Sequence, residues 1–282
     1  MKIAILSDIH ANFEALQVVA NNLEIWRPDI VFVAGDIINR GPFPNQCLQF
    51  ILENKKEWKL VIGNHEEYVI AQAIPEYLKS REQKVLYQDS NWTYNQIGKN
   101  IEPIKNLPFL LDNDFHNRGM IRVTHASMLG TRGGIFPELS DEQIKERIGK
   151  PPAVFCVGHT HRPMIRRIDD TLIINAGSVG LPFDGNQQAC YAKLTYNHNQ
   201  WHGKIERCDY DVQSTLQGFF STGYIDNGGP LVRIMLRELK QARSHLYQWT
   251  AIYKKDIVQG KISFENAVKE YIKVNNLDDI TF

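Results

Sequence analysis

Residues 2–12 read KIAILSDIHAN, an apolar run that ends abruptly in a cluster of polar side chains. Apolar residues then recur at helical spacing between positions 13 and 23, which predicts a strand followed by a helix with Asn12 as its N-cap. The same alternation of an apolar run, a polar turn and a helical segment returns at residues 30–52, and a third apolar run precedes GNHE at residues 63–66. Strands that alternate with helices predict a largely parallel α/β sheet.

The rest of the chain divides into three stretches. Residues 66–108 are polar and rich in helix formers, which predicts a helical cap inserted into the main domain. Strand-like runs resume between residues 120 and 206, and their close spacing implies hairpins and a second, mainly antiparallel sheet. From residue 211 to residue 282 the pattern is helical, with residues 231–252 as the longest candidate helix. We therefore expect a main domain over residues 1–210 and a C-terminal helical extension over residues 211–282 that packs on it.

Composition and charge exclude several classes of protein. The 282 residues are 43% hydrophobic and 23% charged, as expected of a globular chain with one large core or two modest ones. Lys plus Arg equals Asp plus Glu, 32 each, so the formal net charge of zero disfavours binding to nucleic acid or to an acidic membrane. The basic residues along 231–252 are therefore interpreted as a solvated helix face.

The N-terminus and the cysteines indicate the cellular compartment of the protein. MKIAILSD is too short and too soon polar for a signal peptide, and nothing approaches the roughly 18 apolar residues of a membrane span. The four cysteines lie far apart without a CxxC pair, so we expect them to be reduced and mostly buried. These features predict a cytoplasmic protein without a membrane partner.

Five separate segments carry polar side chains at the ends of predicted strands. Loops at the carboxyl ends of such strands converge on the crevice where α/β proteins bind ligands. The side chains offer oxygen and imidazole nitrogen without a thiolate, a set that suits divalent cations such as Mn²⁺, Fe or Zn²⁺. In DIH and HTH the polar residues at i and i+2 would emerge on one side of an extended backbone. The candidate ligands are Asp8, His10, Asp36, Asn64, His125, His159 and His161.

Seven candidates are too many for one tetrahedral site, so two ions are predicted. A carboxylate such as Asp36 has two oxygens and can bridge ions that lie about 3.5 to 4 Å apart.

The motifs SDIHAN, AGDIINRGP, GNHE, THA and GHTH follow one another in this order over residues 7–161. This order resembles the calcineurin-like metallophosphoesterase superfamily, and most closely its branch of small, phosphodiesterase-like enzymes from bacteria and archaea. The resemblance implies an α/β fold, a four-layer α/β/β/α sandwich of two mixed sheets with a helical insert and C-terminal helices. Residues 1–210 would then be the catalytic domain.

The resemblance also implies a role for each site residue. One ion would be held by Asp8, His10, Asp36 and His161. The other would be held by Asp36, Asn64, His125 and His159. His65 would bind the phosphoryl oxygens and protonate the leaving group, Arg40 would bind phosphate, and Asp36 would be both a ligand and a catalytic residue.

The implied reaction is hydrolysis of a phosphomonoester or phosphodiester of a small substrate, such as a nucleotide or dinucleotide. Two divalent ions, Mn²⁺ first and Fe, Zn²⁺, Ni²⁺ or Mg²⁺ as alternatives, would ionise a bridging water, and the hydroxide would attack phosphorus in line. The alternatives are a metal-binding scaffold with weak turnover, and a protein or dinucleoside polyphosphate phosphatase. A nuclease is disfavoured by the zero net charge. The oligomeric state is not predicted.

Some positions depart from the pattern of related phosphatases or stay open. Asn39 stands where those enzymes carry an Asp that favours protonation of the catalytic imidazole, so either another carboxylate compensates or the substrate has a good leaving group. Glu66 is either an acid that orients a ligand or a first-turn helix acid. Asn175 and Ser178 are candidates to reach the substrate. Outside the pattern, the histidines expected in loops or on the surface are His116, His198, His202 and His245.

Overall fold

The structure, a computed structural model, describes residues 1–54, 58–74, 76–78 and 80–277. In these ranges two five-stranded sheets are present, with strand orders β10-β9-β1-β2-β3 and β4-β5-β6-β8-β7. The strands are β1 (Lys2–Leu6), β2 (Ile30–Val33), β3 (Trp58–Leu60), β4 (Leu110–Asp114), β5 (Met120–Thr124), β6 (Val154–Val157), β7 (Met164–Ile168), β8 (Thr171–Asn175), β9 (Ala189–Asn197) and β10 (Gln200–Cys208).

Helices flank both sheets, so the predicted sandwich of two mixed sheets is confirmed. Asn12 caps the first helix as predicted, since its side chain accepts from the N–H of Ala15 at 3.1 Å. The helices are α1 (Phe13–Trp26), α2 (Pro44–Asn54), α3 (Asn64–Ala71), α4 (Arg81–Leu86), α5 (Gln88–Ile97), α6 (Glu102–Lys105), α7 (Asp141–Ile148), α8 (Val212–Ser221), α9 (Tyr224–Asn227), α10 (Val232–Gln241), α11 (Leu246–Val258) and α12 (Phe264–Val274).

The alternation of side chains along β1 places the sheets on either side of one apolar layer. Ile3 and Ile5 lie in the core between the two sheets, whereas Ala4 and Leu6 lie in the core beneath the helices. All four are completely buried. A strand with both faces buried has no polar alternation, which is the reason that β1 reads as a continuous apolar run.

The hairpin β9–β10 belongs to the first sheet, so the expectation that all the later strands form the second sheet is wrong. β9 runs antiparallel to β1, with Leu194 opposite Ile3, and both side chains lie in the core between the sheets. The spacing of the two apolar runs indicates a hairpin, but it does not indicate with which strand the hairpin pairs.

The second sheet is mixed rather than mainly antiparallel. β4 pairs antiparallel with β5 and β7 with β8, while β6 runs parallel to both of its neighbours, β5 and β8. The parallel pair β5–β6 exists because α7 lies between these strands in the chain and returns it to the same end of the sheet. β4 was not predicted, because its sequence LLDND is half polar.

The single helix predicted over residues 231–252 is wrong, because the chain breaks between α10 and α11. Ala242 ends α10 in the left-handed conformation with φ of +50°. Arg243 therefore lies beyond α10 and does not continue its row of basic residues. The predicted division at residue 210 stays a prediction, although Trp92 of α5 packs on Tyr224 of α9 with ring centroids 4.3 Å apart. Each described helix is too short or too polar for a membrane span.

Candidate active site

The polar segments follow strands of both sheets. In the first sheet Asp8 follows β1, Asp36 follows β2 and Asn64 follows β3. In the second sheet His125 follows β5, while His159 and His161 follow β6. The structure brings the side chains of all seven predicted ligands together in one cleft between the sheet ends.

Left-handed backbone carries most of these side chains into the cleft. A positive φ, between +48° and +66°, is found at Asp8, His10, Asp36, Arg40, His159 and His161. Such angles are uncommon outside glycine and cluster where function requires them. The expectation that DIH and HTH are extended is therefore wrong, because each motif turns sharply just past its strand.

Glycines let the turning segments approach one another. A Cβ on Gly158 would lie 1.8 Å from Ser7 Oγ and 2.3 Å from Asp8 Oδ2. This close approach allows the backbone N–H of His159 to donate to Asp8 Oδ2 at 2.8 Å. The glycine of GHTH is thus needed because the second sheet's loop lies directly on the first motif.

The first group of side chains surrounds Asp8. Its Oδ1 lies 3.3 Å from His161 Nε2 and 3.8 Å from His10 Nε2. The two imidazole Nε2 atoms lie 3.1 Å apart. Asp36 joins this group through Oδ2, which is 3.7 Å from His10 Nε2.

The second group surrounds His125 and shares Asp36 with the first. His125 Nε2 lies 3.3 Å from Asp36 Oδ2, 3.0 Å from Asn64 Oδ1 and 3.2 Å from His159 Nδ1. Asn64 Oδ1 also lies 2.9 Å from His159 Nδ1. The carboxylate of Asp36 is therefore common to two groups of converging donor atoms.

Hydrogen bonds fix the orientation of three imidazoles, and two of these rings direct lone pairs at each other. Nδ1 of His10 donates to the carbonyl of Asn39, Nδ1 of His161 to that of Leu181, and Nδ1 of His125 to that of Ala34, at 3.3, 2.5 and 2.7 Å. Because a carbonyl only accepts, Nε2 of His10 and Nε2 of His161 each carry a lone pair in the neutral ring. Two lone pairs 3.1 Å apart repel each other unless a cation lies between them. The pKa of His125 is raised to about 10, so its Nε2 keeps a hydrogen that a cation would have to replace. These residues therefore fit divalent cations.

The carboxylates of the site fit the same conclusion. Asp8 Oδ1 is buried without a hydrogen-bond partner among the described residues. Burial alone would raise the pKa of Asp36, but the charge of His125 outweighs this effect and holds that pKa well below its usual range. Against the effect of burial, Asp36 raises the pKa of His125 to about 10. Two buried carboxylates thus require positive charge at this point, which a metal cation can supply.

His65 lies beside the first group and is neutral. Its backbone N–H donates to Asp36 Oδ1 at 2.8 Å, and its ring centroid is 4.9 Å from that of His10. Burial lowers the pKa of His65 to about 3, against the opposing effect of Asp36. Asn39 Nδ2 lies 2.9 Å from its Nδ1, so the amide donates there and the ring hydrogen is on Nε2.

Glu66 connects the two loops that follow β2 and β3. Its oxygens accept from the backbone N–H groups of Asp36, Ile37, Ile38 and Gly63 at 2.7, 2.7, 3.3 and 2.9 Å. Burial raises its pKa to about 7, and the N–H donors act in the opposite direction. Glu66 is therefore more than a first-turn helix acid, since it fixes the loops that carry Asp36 and Asn64.

Three polar residues lie elsewhere than expected. Ser178 Oγ donates to the carbonyl of Asp8 at 2.6 Å, and Asn175 Nδ2 to that of Gly158 at 2.8 Å. Both side chains are fully buried and hold loops in place rather than facing a substrate. His245 is buried rather than on the surface, and it contacts Tyr271 Oη and Gln241 Oε1.

Two comparisons with known proteins agree on the fold. A metallophosphoesterase from Sphaerobacter thermophilus superposes with a TM-score of 0.65 at 24% identity, covering 86% of this chain and all of that one. A hypothetical protein from Pyrococcus horikoshii superposes with a TM-score of 0.68 at 17% identity, covering 82% and 97% of the two chains.

Sequence relatives extend over different shares of the chain. An uncharacterized protein of Methanocaldococcus jannaschii, MJ0912, is 26% identical over 231 residues, which are 76% of this chain and 90% of the relative. A symmetrical bis(5'-nucleosyl)-tetraphosphatase of Actinobacillus pleuropneumoniae is 30% identical over 69 residues, about a quarter of each chain. The family model of the calcineurin-like phosphoesterases matches residues 1–163, a range that contains every motif of the cleft. The chain belongs to the calcineurin-like phosphoesterase family and is a hydrolase.

Proposed function

We propose that this protein is a dinuclear-metal-dependent phosphoesterase that hydrolyses a small phosphate ester, with nucleotides as the substrate class. The observation that carries the proposal is the pair of donor groups that share Asp36. In the first group, the Nε2 lone pairs of His10 and His161 face each other at 3.1 Å. In the second, Asn64 Oδ1 and two imidazole nitrogens lie within 3.2 Å of one another.

Each group would hold one cation. Asp8, His10 and His161 would hold the first, Asn64, His125 and His159 the second, and Asp36 would serve both. When bound, two divalent cations supply a hydroxide nucleophile near neutral pH and neutralise charge on the phosphoryl oxygens. The donor set of oxygen and imidazole suits Mn²⁺, which we choose as the test ion.

The chain's own residues would orient the ester and stabilise charge. His65 carries its ring hydrogen on Nε2 and can donate it to a phosphoryl or leaving oxygen. Arg40 lies close enough that its charge lowers the pKa of both His65 and His10. A guanidinium and an imidazole N–H fixed in place before the reaction stabilise the transition state without reorganising.

Aromatic side chains next to His65 favour a nucleotide. The ring centroid of Tyr68 lies 5.3 Å from that of His65 and 5.3 Å from that of Tyr87. The guanidinium of Arg132 lies over the ring of Tyr68, 5.0 Å from its centroid. Partly exposed aromatic and guanidinium groups are surfaces on which nucleobases stack. The local match to a bis(5'-nucleosyl)-tetraphosphatase supports the same substrate class.

The test is hydrolysis by the Mn²⁺-loaded protein. Release of nitrophenol from p-nitrophenyl phosphate and from bis-p-nitrophenyl phosphate separates monoesterase from diesterase activity. A set of mononucleotides and dinucleoside polyphosphates then identifies the substrate by the nucleotide consumed. An inert protein that still binds Mn²⁺ would establish the alternative, a metal-binding scaffold.

Asp36→Ala is the decisive variant. It removes the carboxylate common to both donor groups, so we expect kcat to fall by at least about a thousandfold and the bound metal to fall below two ions per chain. Asp170→Asn, which removes an exposed carboxylate on the β7–β8 turn, serves as the matched control. Full hydrolysis by the Asp36→Ala variant would refute the proposed function.

A further inference from the structure

Arg40 contacts a residue from the far end of the chain. It follows Asn39 in the turn after β2, and its side chain is only 13% exposed. Its Nη2 lies 3.5 Å from Oε2 of Glu238, a completely buried residue of α10. The proposed phosphate-binding guanidinium is thus paired with a carboxylate that lies outside residues 1–163, where the family match ends.

Glu238 is itself held rigidly. Its Oε1 accepts from the backbone N–H groups of His245 and Leu246 at 2.7 and 2.8 Å, at the break between α10 and α11. The same carboxylate therefore holds the start of α11 and pairs with Arg40. Oε2 is buried and makes no hydrogen bond within the described part of the chain, so its contact is the ion pair with Arg40.

The charge of Arg40 requires such a partner. A buried guanidinium without a compensating charge is strongly destabilised. Asp89 of α5 also lies near Arg40, whose charge opposes the effect of burial on the pKa of that carboxyl. Arg40 also acts on the imidazoles of His10 and His65 and lowers the pKa of each, so these rings cannot compensate its charge. The guanidinium thus interacts with two buried carboxylates and with two imidazoles of the site.

We propose that Glu238 is a positioning residue that fixes Arg40 at the phosphate-binding part of the site, so that the C-terminal helices complete the active site. The inference rests on the proposed function, because it assigns Arg40 to phosphate. The Arg40 side chain is partly exposed, so it can still meet a ligand while Glu238 restricts its orientation.

The first test compares Glu238→Gln with wild type in the full-length, Mn²⁺-loaded protein. Glutamine keeps the volume and an oxygen for the two backbone N–H groups, but it removes the charge. We expect kcat/KM for p-nitrophenyl phosphate to fall about tenfold to a hundredfold, the usual cost of a misplaced substrate-binding group, and inhibition by inorganic phosphate to weaken about as much. Glu270→Gln on α12, which removes a carboxylate from the same extension, should leave both unchanged.

A double-mutant cycle separates positioning from a general structural role. In an Arg40→Ala background, Glu238→Gln should cause no further loss of kcat/KM or of phosphate binding measured by calorimetry. The double variant should also unfold at a higher temperature than Arg40→Ala alone, since it no longer buries an unpaired carboxylate. Equal losses in both backgrounds, or wild-type phosphate binding by Glu238→Gln, would overturn the inference.

The outcomes distinguish this inference from the proposed function. If wild type hydrolyses no phosphate ester but binds inorganic phosphate, the proposed function fails while the effect of Glu238→Gln on phosphate binding still tests the positioning role. If wild type neither hydrolyses a phosphate ester nor binds phosphate, both the proposed function and the positioning role fail. If wild type is active and Glu238→Gln is equally active, the positioning role alone fails.

Discussion

Asn39 determines what kind of donor His65 can be. Its Nδ2 donates to His65 Nδ1 at 2.9 Å, while its Oδ1 accepts from Thr93 Oγ1 at 3.0 Å. An amide held in this way leaves the imidazole neutral with its hydrogen on Nε2. A neutral imidazole can stabilise an oxygen by a hydrogen bond, but it is a weak source of a proton for a basic leaving group.

Within the described residues, His65 Nδ1 contacts the amide of Asn39 and no carboxylate. Asp89 is near, but Ser90 lies between, since Asn39 Nδ2 is 3.0 Å from Ser90 Oγ, which is 3.4 Å from Asp89 Oδ1. Of the two explanations left open by the sequence, a substrate with a good leaving group is therefore the better supported.

Asn39→Asp should broaden the range of leaving groups. An aspartate would accept from His65 Nδ1–H and favour the charged imidazole, which can protonate a poor leaving group. We expect the ratio of kcat/KM for p-nitrophenyl phosphate to that for phenyl phosphate to fall about tenfold. Asn39→Ala removes the amide without adding a charge and should not lower the ratio. An unchanged ratio in Asn39→Asp would show that His65 is not the proton donor.

The seven donor residues could be predicted because each belongs to a polar segment that follows an apolar run. The role of Glu66 could not be predicted in the same way, because an acidic residue is common in the first turn of a helix whatever its side chain contacts. Its four backbone donors come from two loops that approach each other only in the folded chain. The role of Glu238 could not be predicted from the sequence, because its partner Arg40 lies almost two hundred positions earlier in the chain.

At the scale of elements, the first turn of α3 holds the turn after β2. Glu66 accepts from Gly63 N–H within its own helix start and from three N–H groups beyond β2, so it joins the two loops as one unit. A Cβ on Gly63 would lie 2.1 Å from Asp36 Oδ1, which shows how closely the loops approach.

Glu66→Gln should loosen this unit. The side-chain NH2 of glutamine would face backbone N–H groups that now donate to a carboxylate oxygen. Those buried N–H groups would lose their acceptor. We expect the free energy of unfolding to fall by about 3 kcal/mol, measured by urea denaturation, and Mn²⁺ affinity to fall with it. Glu67→Gln on the same helix breaks a partly exposed pair with Arg132 and should cost less than about 1 kcal/mol. Equal losses from both substitutions would contradict the special role of Glu66.

Helices and strands could be predicted where the local spacing of apolar residues determines the secondary structure. The break between α10 and α11 was not, since it contains neither glycine nor proline and is stabilised by the carboxylate of Glu238. The place of the β9–β10 hairpin was not predictable either, because it depends on pairing with β1 across the whole chain. Both failures concern contacts that are distant in sequence.

At the scale of the whole molecule, the site joins the two sheets. Asp8, His10, Asp36 and Asn64 follow strands of the first sheet, while His125, His159 and His161 follow strands of the second. Each donor group contains members of both sets. A cation in either group would therefore link two halves of the sandwich that otherwise meet mainly through apolar side chains.

Removal of metal should consequently destabilise the entire fold. A ligand that binds only the native state stabilises it by about 2.7 kcal/mol at a hundred times its Kd. We expect the unfolding temperature to fall by several degrees after chelation, as about 2 to 4 °C per kcal/mol is usual for chains of this size, and to recover when Mn²⁺ is added. In Asp36→Ala the recovery should be much smaller, since that carboxylate belongs to both groups. If the variant recovered as fully as wild type, the added ions would be stabilising the protein at another place, and the shared carboxylate would not be the link between the sheets.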